Sequence, residues 1–201
     1  MSQMTLTYFD TPSSRGEECR LALFVSGVPF TDDRLKAGEW EKRKPTAPYG
    51  AVPVLTAEGH PPIAQSNAIL RLVGSLNGLH PAEPWEAARQ EALMGAIEDM
   101  RVRLGATRHA DEAERKRLRE EFAQGYLKDW ARHVEAQLGE PFVGGAKLQV
   151  ADLKLFVAVA ALIKGNIDHI PVDVFKANPK ILRQHEAVKT HPKVMEWYAR
   201  K

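Results

Sequence analysis

The sequence has one cysteine, no long apolar run and almost no excess of charge. A lone Cys19 excludes an internal disulfide and is typical of a reducing compartment. The longest nearly apolar stretch, residues 153–163, contains Lys154 and is far shorter than the roughly 20 residues that cross a bilayer, so we predict a buried helix. Lys and Arg total 28 against 26 Asp and Glu, which indicates no basic surface for nucleic acid.

The sequence also lacks internal repeats, low-complexity segments and metal-ligand spacing. Residues 1–4 show neither a basic start nor an apolar run, so we expect no secretory signal and a cytoplasmic location. The seven histidines are scattered, which predicts no metal site. Apolar residues make up 44% of the 201, which is enough for the core of one large domain or two small ones.

The first 78 residues alternate between short strands and helices. β-branched and aromatic alternation predicts the strands, and apolar residues at helical spacing predict the helices. A strand, a helix and a strand within so few residues imply a right-handed parallel unit. The predicted order is βαβ-α-ββα, an α/β thioredoxin-like domain. Its strands are at 5–9, 30–35, 52–56 and 63–64; its helices are at 15–26 and 66–77, with a short helix or an irregular turn at 40–43.

The rest of the chain is predicted to be all-helical. Residues 79–85 contain two prolines and form the predicted linker. Apolar stripes predict helices over about 86–104 and 111–138. A further helix is expected to begin near Gln149, and two or three short ones follow. We therefore predict a domain at 1–78, a linker at 79–85 and an all-α domain at 86–201.

The stretch from residue 44 to residue 70 organises the chain. Val52-Pro53 stands where a strand should begin, and one use of such a site is a cis peptide that turns the Val52 backbone towards an extended ligand. Gln65 and Ser66 fall at a predicted helix N-terminus, where free N–H groups can hold a carboxylate. The alternative interpretation is an ordinary trans strand entry followed by an ordinary N-cap.

Five motifs occur in order: LTYF at 6–9, RGEECRL at 15–21, Trp40 with Lys44, PYGAVPVL at 48–55 and AQSNAI at 64–69. With these motifs the chain resembles the cytosolic glutathione transferases over nearly its whole length. The resemblance is strongest to the tyrosine-type, sigma-like classes in bacterial form. It implies the same thioredoxin-like and helical domains, with glutathione bound to the first. One departure is Gln149, where the family usually has Ser or Thr as a helix cap.

The resemblance implies that the glutathione thiolate is the nucleophile. Lowering a thiol pKa of about 8.5 by about two units requires roughly 2.7 kcal/mol, and one charge-assisted hydrogen bond supplies about 1.5–3 kcal/mol. Tyr8 matches the family tyrosine that donates this bond. Ser13 and Ser14 are the alternatives, since related classes use a serine in this turn and the loop here is one residue longer. Arg15 matches an arginine whose charge lowers the thiol pKa.

The resemblance also implies a glutathione-binding set. Trp40 and Lys44 match donors to the glycine carboxylate, and Ala51, Val52 and Pro53 match the triplet whose central backbone pairs with the cysteinyl unit. The γ-glutamyl group is expected to contact Gln65 and Ser66, together with Asp99 of the partner subunit.

A shared site of this kind implies a homodimer, with Tyr49 as an aromatic key at the interface. The electrophile site is expected between the domains, with Phe9, Met100, Arg103 and Leu104 on its wall. The prediction is a cytoplasmic glutathione transferase with glutathione as co-substrate, no tightly bound cofactor and no metal. The alternatives are a glutathione-dependent isomerase or peroxidase at the same site, or a non-catalytic glutathione-binding or structural protein.

Overall fold

A mixed four-stranded sheet with helices packed on it forms the N-terminal half of the molecule. The computed structural model describes residues 3–200. The sheet order is β2-β1-β3-β4; β1 and β2 are parallel, and the β1–β3 and β3–β4 pairs are antiparallel. The elements are β1 (Met4–Phe9), α1 (Ser14–Val25), β2 (Phe30–Leu35), α2 (Glu39–Arg43), β3 (Val54–Ala57), β4 (Ile63–Ala64) and α3 (Ser66–Leu76). The predicted thioredoxin-like order is therefore confirmed.

The C-terminal half is built from helices joined by loops, as predicted. Its elements are α4 (Pro84–Ala106), α5 (Glu112–Gln124), α6 (Tyr126–Glu135), α7 (Val150–Ile163), α8 (Pro179–Lys189) and α9 (Pro192–Ala199). The central element is α7, which is buried on nearly every side and contacts α1, α3, α4 and α8. Of the helices that the structure describes, none has the length and apolar character that a membrane span needs.

Most predicted boundaries differ from the structure by one or two residues, and two of the differences have a specific cause. The helix expected over 111–138 is broken at Gly125, whose φ of −101° and ψ of −95° are not helical. The apolar stripe continues through Phe122, Tyr126 and Trp130, so the periodicity hides the break. The third strand begins at Val54 rather than at residue 52, because Pro53 has no N–H to give the ladder.

The start of α7 is held by Asp152, which is buried. Its carboxylate accepts hydrogen bonds from the Val143 and Gln149 N–H groups at 2.7 and 2.9 Å and from Gln184 Nε2 at 3.0 Å. Burial raises the pKa of Asp152 to about 6, although these donors act in the opposite direction. The hydrogen bond from the Gln149 N–H to the Asp152 carboxylate is therefore present, although residue 149 is a glutamine rather than Ser or Thr. This anchor fixes the start of α7 within the helical half, against the 143 loop and α8.

Candidate functional site

The N-terminus of α3 presents Gln65 and Ser66, as the sequence predicts. Gln65 adopts φ 72° and ψ 112°, a conformation that non-glycine residues rarely adopt and that costs on the order of 1–3 kcal/mol. Ser66 is 3% exposed and is the first residue of the helix. The first N–H groups of the helix have no intrahelical acceptor, so this end can bind an anion.

The turn before β3 lies beside this helix end. The Val52–Pro53 peptide is cis, which is the arrangement that the ligand-binding interpretation expected. Within residues 3–200 neither the N–H nor the C=O of Val52 takes part in a backbone hydrogen bond. Ala51 and Val52 are partly exposed, whereas Pro53 is buried. A ligand edge could therefore pair with the Val52 backbone.

Tyr8 lies near the C-terminal end of β1, where its neighbour in β2 is Arg34. Its ring rests on Gly16 of α1 so closely that a Cβ at residue 16 would be 2.0 Å from Tyr8 Cδ1. Glycine at that position therefore lets the ring lie against the start of the helix. Tyr8 is only 6% exposed, and its hydroxyl forms no hydrogen bond to any part of the chain that the structure describes.

The alternative donors lie in the turn that precedes α1. Ser13 shares a hydrogen bond of 2.9 Å with the Thr11 hydroxyl, and Ser14 begins α1 with φ 62°. Both serines line the larger cavity described below, so their position does not exclude them. The single cysteine does not compete for this role, because Cys19 is buried and burial raises its pKa well above the ordinary value.

An aromatic row extends from Tyr8 towards the predicted site of the glycine carboxylate. The rings of Tyr8 and Phe9 meet edge to face at 5.3 Å, and those of Phe9 and Trp40 at 5.9 Å. Lys44 follows in an exposed 3₁₀ turn, Lys44–Thr46. Along residues 3–200, neither the Trp40 indole N–H nor the Lys44 ammonium has a side-chain or carbonyl partner.

A cavity of about 710 Å³ opens between the start of α1 and the helices α4 and α7. Met100 and Leu104 line it, one turn apart on the same face of α4. Phe9 and Arg103 are not among its lining residues: Phe9 packs on Trp40, and the Arg103 guanidinium lies 4.4 Å from the Tyr126 ring centre. The rest of its apolar wall comes mainly from α7, from Val157, Ala158, Ala161 and Leu162.

Five charged residues meet between the two halves, and we call them the interface cluster: Arg15, Glu18, Glu98, Arg101 and Lys154. Lys154 and Glu18 are fully buried, and Lys154 Nζ lies 2.6 Å from Glu18 Oε1 and 2.5 Å from Glu98 Oε1. Arg101 contacts Glu18 at 2.8 Å and Glu98 at 3.0 Å, and Arg15 Nε donates to Glu98 at 2.7 Å. The cluster ties α1 to α4 and α7.

The interface cluster has two consequences for the predicted site. Burial acts against ionisation of Glu98, but the charges of Lys154, Arg101 and Arg15 outweigh it and lower the pKa of Glu98 to about 2. Arg15, predicted as a cation near the thiol, is already paired with Glu98 at the cavity edge. Except for Arg15, sequence reasoning assigned no role to the cluster; the available signal was a lysine inside an apolar helix.

Two residues predicted for a dimer interface are exposed. Asp99 projects from α4 beside the buried Met100, and Tyr49 is 83% exposed with φ 57°. Tyr49 also lines a surface cavity of about 350 Å³ that extends to Gln65. These positions leave both side chains free to meet a second molecule.

One group of potential metal ligands occurs among residues 3–200, formed by Glu112, Asp168 and His169. Their ligand atoms lie within 4.8 Å of one another. Arg115 and Arg119 already pair with these carboxylates, which neutralises the negative charge that a cation would need.

Comparison with known families gives two matches that follow one another along the chain. A model described as glutathione S-transferase, N-terminal domain, matches residues 4–75. A second, described as glutathione S-transferase, C-terminal domain, matches residues 98–201, which is just over half of the chain.

Individual proteins agree with the family models. Glutathione S-transferase 1 of Ascaris suum is 28% identical over 206 residues, covering 99% of this chain and 97% of that protein. The prostaglandin synthase D structure of Nilaparvata lugens superposes with a TM-score of 0.85 at 25% identity, covering 99% of this chain and 98% of that one. The sigma class structure of Fasciola hepatica, at 24% identity, gives a TM-score of 0.85 with 98% and 96% coverage and shows the same fold.

Proposed function

The chain belongs to the glutathione S-transferase family, and on that premise we propose that it is a tyrosine-type, sigma-like transferase in which Tyr8 holds the reactive thiolate. Glutathione is the co-substrate, and the reaction joins its sulfur to an electrophile. The observation that carries the Tyr8 assignment is an unpartnered hydroxyl, within residues 3–200, on a tyrosine held by Gly16. The finer class, in the bacterial form that the motifs suggest, is part of the proposal.

The glutathione tripeptide is proposed to extend from α3 to α2. Its γ-glutamyl carboxylate would sit at the Ser66 end of α3, next to Gln65. The cysteinyl unit would pair with the Val52 backbone between Ala51 and Pro53, which brings the sulfur towards Tyr8. The glycine carboxylate would meet Trp40 and Lys44, both donors without a competing protein acceptor in the part of the chain described.

The electrophile is proposed to bind in the 710 Å³ cavity, against Met100 and Leu104. An apolar wall with cationic side chains at its edge suits a small hydrophobic electrophile. Phe9 could still contact the reacting end from beside Tyr8, whereas Arg103 would have to leave the Tyr126 ring to take part. No metal and no tightly bound cofactor is required by this scheme.

The unit at 1–78 is proposed to carry the glutathione site and the unit at 86–201 the electrophile wall, with 79–85 as the linker.

A homodimer is part of the proposal, with Asp99 reaching the γ-glutamyl ammonium of the partner's ligand and Tyr49 entering the neighbouring subunit. Gel filtration should then give about twice 22.4 kDa. A monomer would remove the roles of both residues. A cytoplasmic location is consistent with the single buried thiol.

The test of the proposed function combines retention on immobilised glutathione with turnover of 1-chloro-2,4-dinitrobenzene. We expect both. Retention without turnover of this compound, of a peroxide or of an isomerisable substrate would support the non-catalytic rival. Turnover of a peroxide or an isomerisable substrate alone would support the proposed glutathione site but assign it a different reaction. The same thiolate can serve conjugation, peroxide reduction and isomerisation. Absence of retention would contradict the proposed function altogether.

A further inference from the structure

Lys154 connects the interface cluster to the proposed glutathione site through one side chain. Its Nζ lies 3.3 Å from the Ser66 hydroxyl oxygen, in addition to its bonds to Glu18 and Glu98. The three N–H groups of the ammonium thus have three acceptors. Lys154 and Ser66 are 88 residues apart in sequence and come from opposite halves of the molecule.

The direction of the bond to Ser66 follows from chemistry. An ammonium has only donors, so the Ser66 oxygen must accept from Lys154. A hydroxyl has a single proton, and that proton is therefore left to donate to another group. Ser66 stands at the N-terminus of α3, where the available partner for an O–H and for the free N–H groups is an anion.

The charges of the interface cluster are balanced in its more buried part. Lys154 and Arg101 pair there with Glu18 and Glu98, and Arg15 lies at the edge with its side chain 35% exposed. Because the buried charges already have opposite partners, the role inferred for Lys154 rests on its bond to Ser66.

We propose that Lys154 is a positioning residue for the γ-glutamyl carboxylate: by donating to the Ser66 oxygen, it orients the Ser66 hydroxyl as a donor to that carboxylate. The inference rests on the proposed function, since it needs glutathione in the site. It predicts that Lys154, from the helical half, raises the affinity of the N-terminal half for the γ-glutamyl carboxylate. Lys154 does so through Ser66, without contacting the tripeptide.

The test compares two peptides that differ only in that carboxylate: glutathione and γ-aminobutyryl-cysteinyl-glycine. Calorimetry should show the wild-type protein binding glutathione about tenfold or more tightly than the analogue, the size expected for hydrogen bonds to a charged group. Lys154→Met should weaken glutathione binding by about tenfold while changing the affinity for the analogue less than about twofold. Equal loss for both peptides would show a merely structural role and overturn the proposal.

Lys154→Met leaves Glu18 buried without its partner, so the protein could fail to fold. The double variant Glu18→Gln/Lys154→Met removes both members of that pair, and it should show the same selective loss. Glu18→Gln alone keeps the Lys154–Ser66 bond and should keep the preference for glutathione. In the Ser66→Ala background, Lys154→Met should cost little more; a full additional loss would contradict action through Ser66.

The outcomes separate this inference from the proposed function. A wild-type protein that takes up neither peptide at millimolar concentration would contradict the proposed function itself. A wild-type protein that prefers glutathione, with a double variant that retains the whole preference, would leave the proposed function intact and overturn the role of Lys154.

Discussion

Two polar regions meet at Ser66, and they differ in how their hydrogen-bonding groups are satisfied. The hydroxyl of Tyr8, the indole of Trp40, the ammonium of Lys44 and the amide of Gln65 make no side-chain hydrogen bond within the described residues 3–200. In the interface cluster, by contrast, every charge contacts an opposite one at 2.5–3.0 Å. We call the first four residues the ligand-facing region, because their unpartnered donors are proposed to bind glutathione. The interface cluster uses its charges to join the two halves of the protein.

This difference indicates what each region should lose on mutation. A buried ion pair contributes modestly as a whole, but removing one partner leaves an uncompensated charge at a cost of about 3–5 kcal/mol. A donor without a partner in the protein adds no hydrogen bond to the stability of the folded state. Substitutions in the cluster should therefore change stability, and substitutions in the ligand-facing region should change binding or rate.

The largest expected effect is from Arg101→Met. Arg101 holds both Glu18 and Glu98 and is 11% exposed, so its loss should lower the free energy of unfolding by about 3–5 kcal/mol in urea titrations. The matched control is Arg89→Met on the same helix, where the pair with Glu86 is about one third exposed, at 38% and 32%, and should contribute less than about 1 kcal/mol. Equal losses of stability in the two variants would contradict the idea that the burial of the interface cluster makes its ion pairs costly to break.

Acid should weaken the interface cluster through Glu98. Its pKa is lowered to about 2, so the folded protein binds fewer protons than the unfolded chain between that pH and the ordinary value near 4.5. The stabilisation is present above pH 4.5 and is lost as the pH falls towards 2, by up to about 3 kcal/mol. Urea titrations at several pH values should show a shallower acid dependence for Glu98→Gln than for wild type. Parallel curves would exclude this group as a cause.

The sequence predicted where Tyr8 and Ser66 lie on their elements but did not predict the interface cluster, and the reason is the sequence separation of the residues involved. Tyr8 at the end of a strand and Ser66 at the start of a helix are local features, expressed within a few neighbouring residues. The Lys154–Glu18 pair joins residues 136 apart, and no local period encodes it. A lysine in an otherwise apolar helix signalled that a buried charge needed a partner, without indicating which one.

The remaining differences have equally specific causes. The break at Gly125 was missed because the apolar stripe has the same spacing on both sides of it. The positive φ of Gln65 depends on how the chain passes from β4 into α3, which residue preferences do not specify. The break divides one predicted helix into α5 and α6, whereas the positive φ of Gln65 leaves the predicted order of the elements unchanged.

Tyr8→Phe tests the ligand-facing region directly. Loss of one hydrogen bond to a thiolate should slow conjugation at neutral pH by about 10- to 100-fold and raise the pKa of the bound thiol, with little change in stability. The measurement is the pH dependence of kcat/KM with 1-chloro-2,4-dinitrobenzene. Ser13→Ala and Ser14→Ala are the controls, and they should be close to wild type. A full rate in Tyr8→Phe with a large loss in a serine variant would transfer the role to that serine.

The smallest effect is expected at Lys44, where an exposed ammonium is proposed to meet the glycine carboxylate. Lys44→Gln should weaken glutathione binding by about twofold to fivefold at low ionic strength, because an exposed charge pair contributes only about 0.2–1 kcal/mol. The loss should shrink in 0.5 M salt, where screening acts within a few ångströms. Lys42→Gln is a matched control, because Lys42 is also exposed and lies only two residues away. This variant removes the same net charge as Lys44→Gln. Equal weakening by both variants would indicate a general attraction for the anionic peptide, and only a selective loss at Lys44 supports a defined contact.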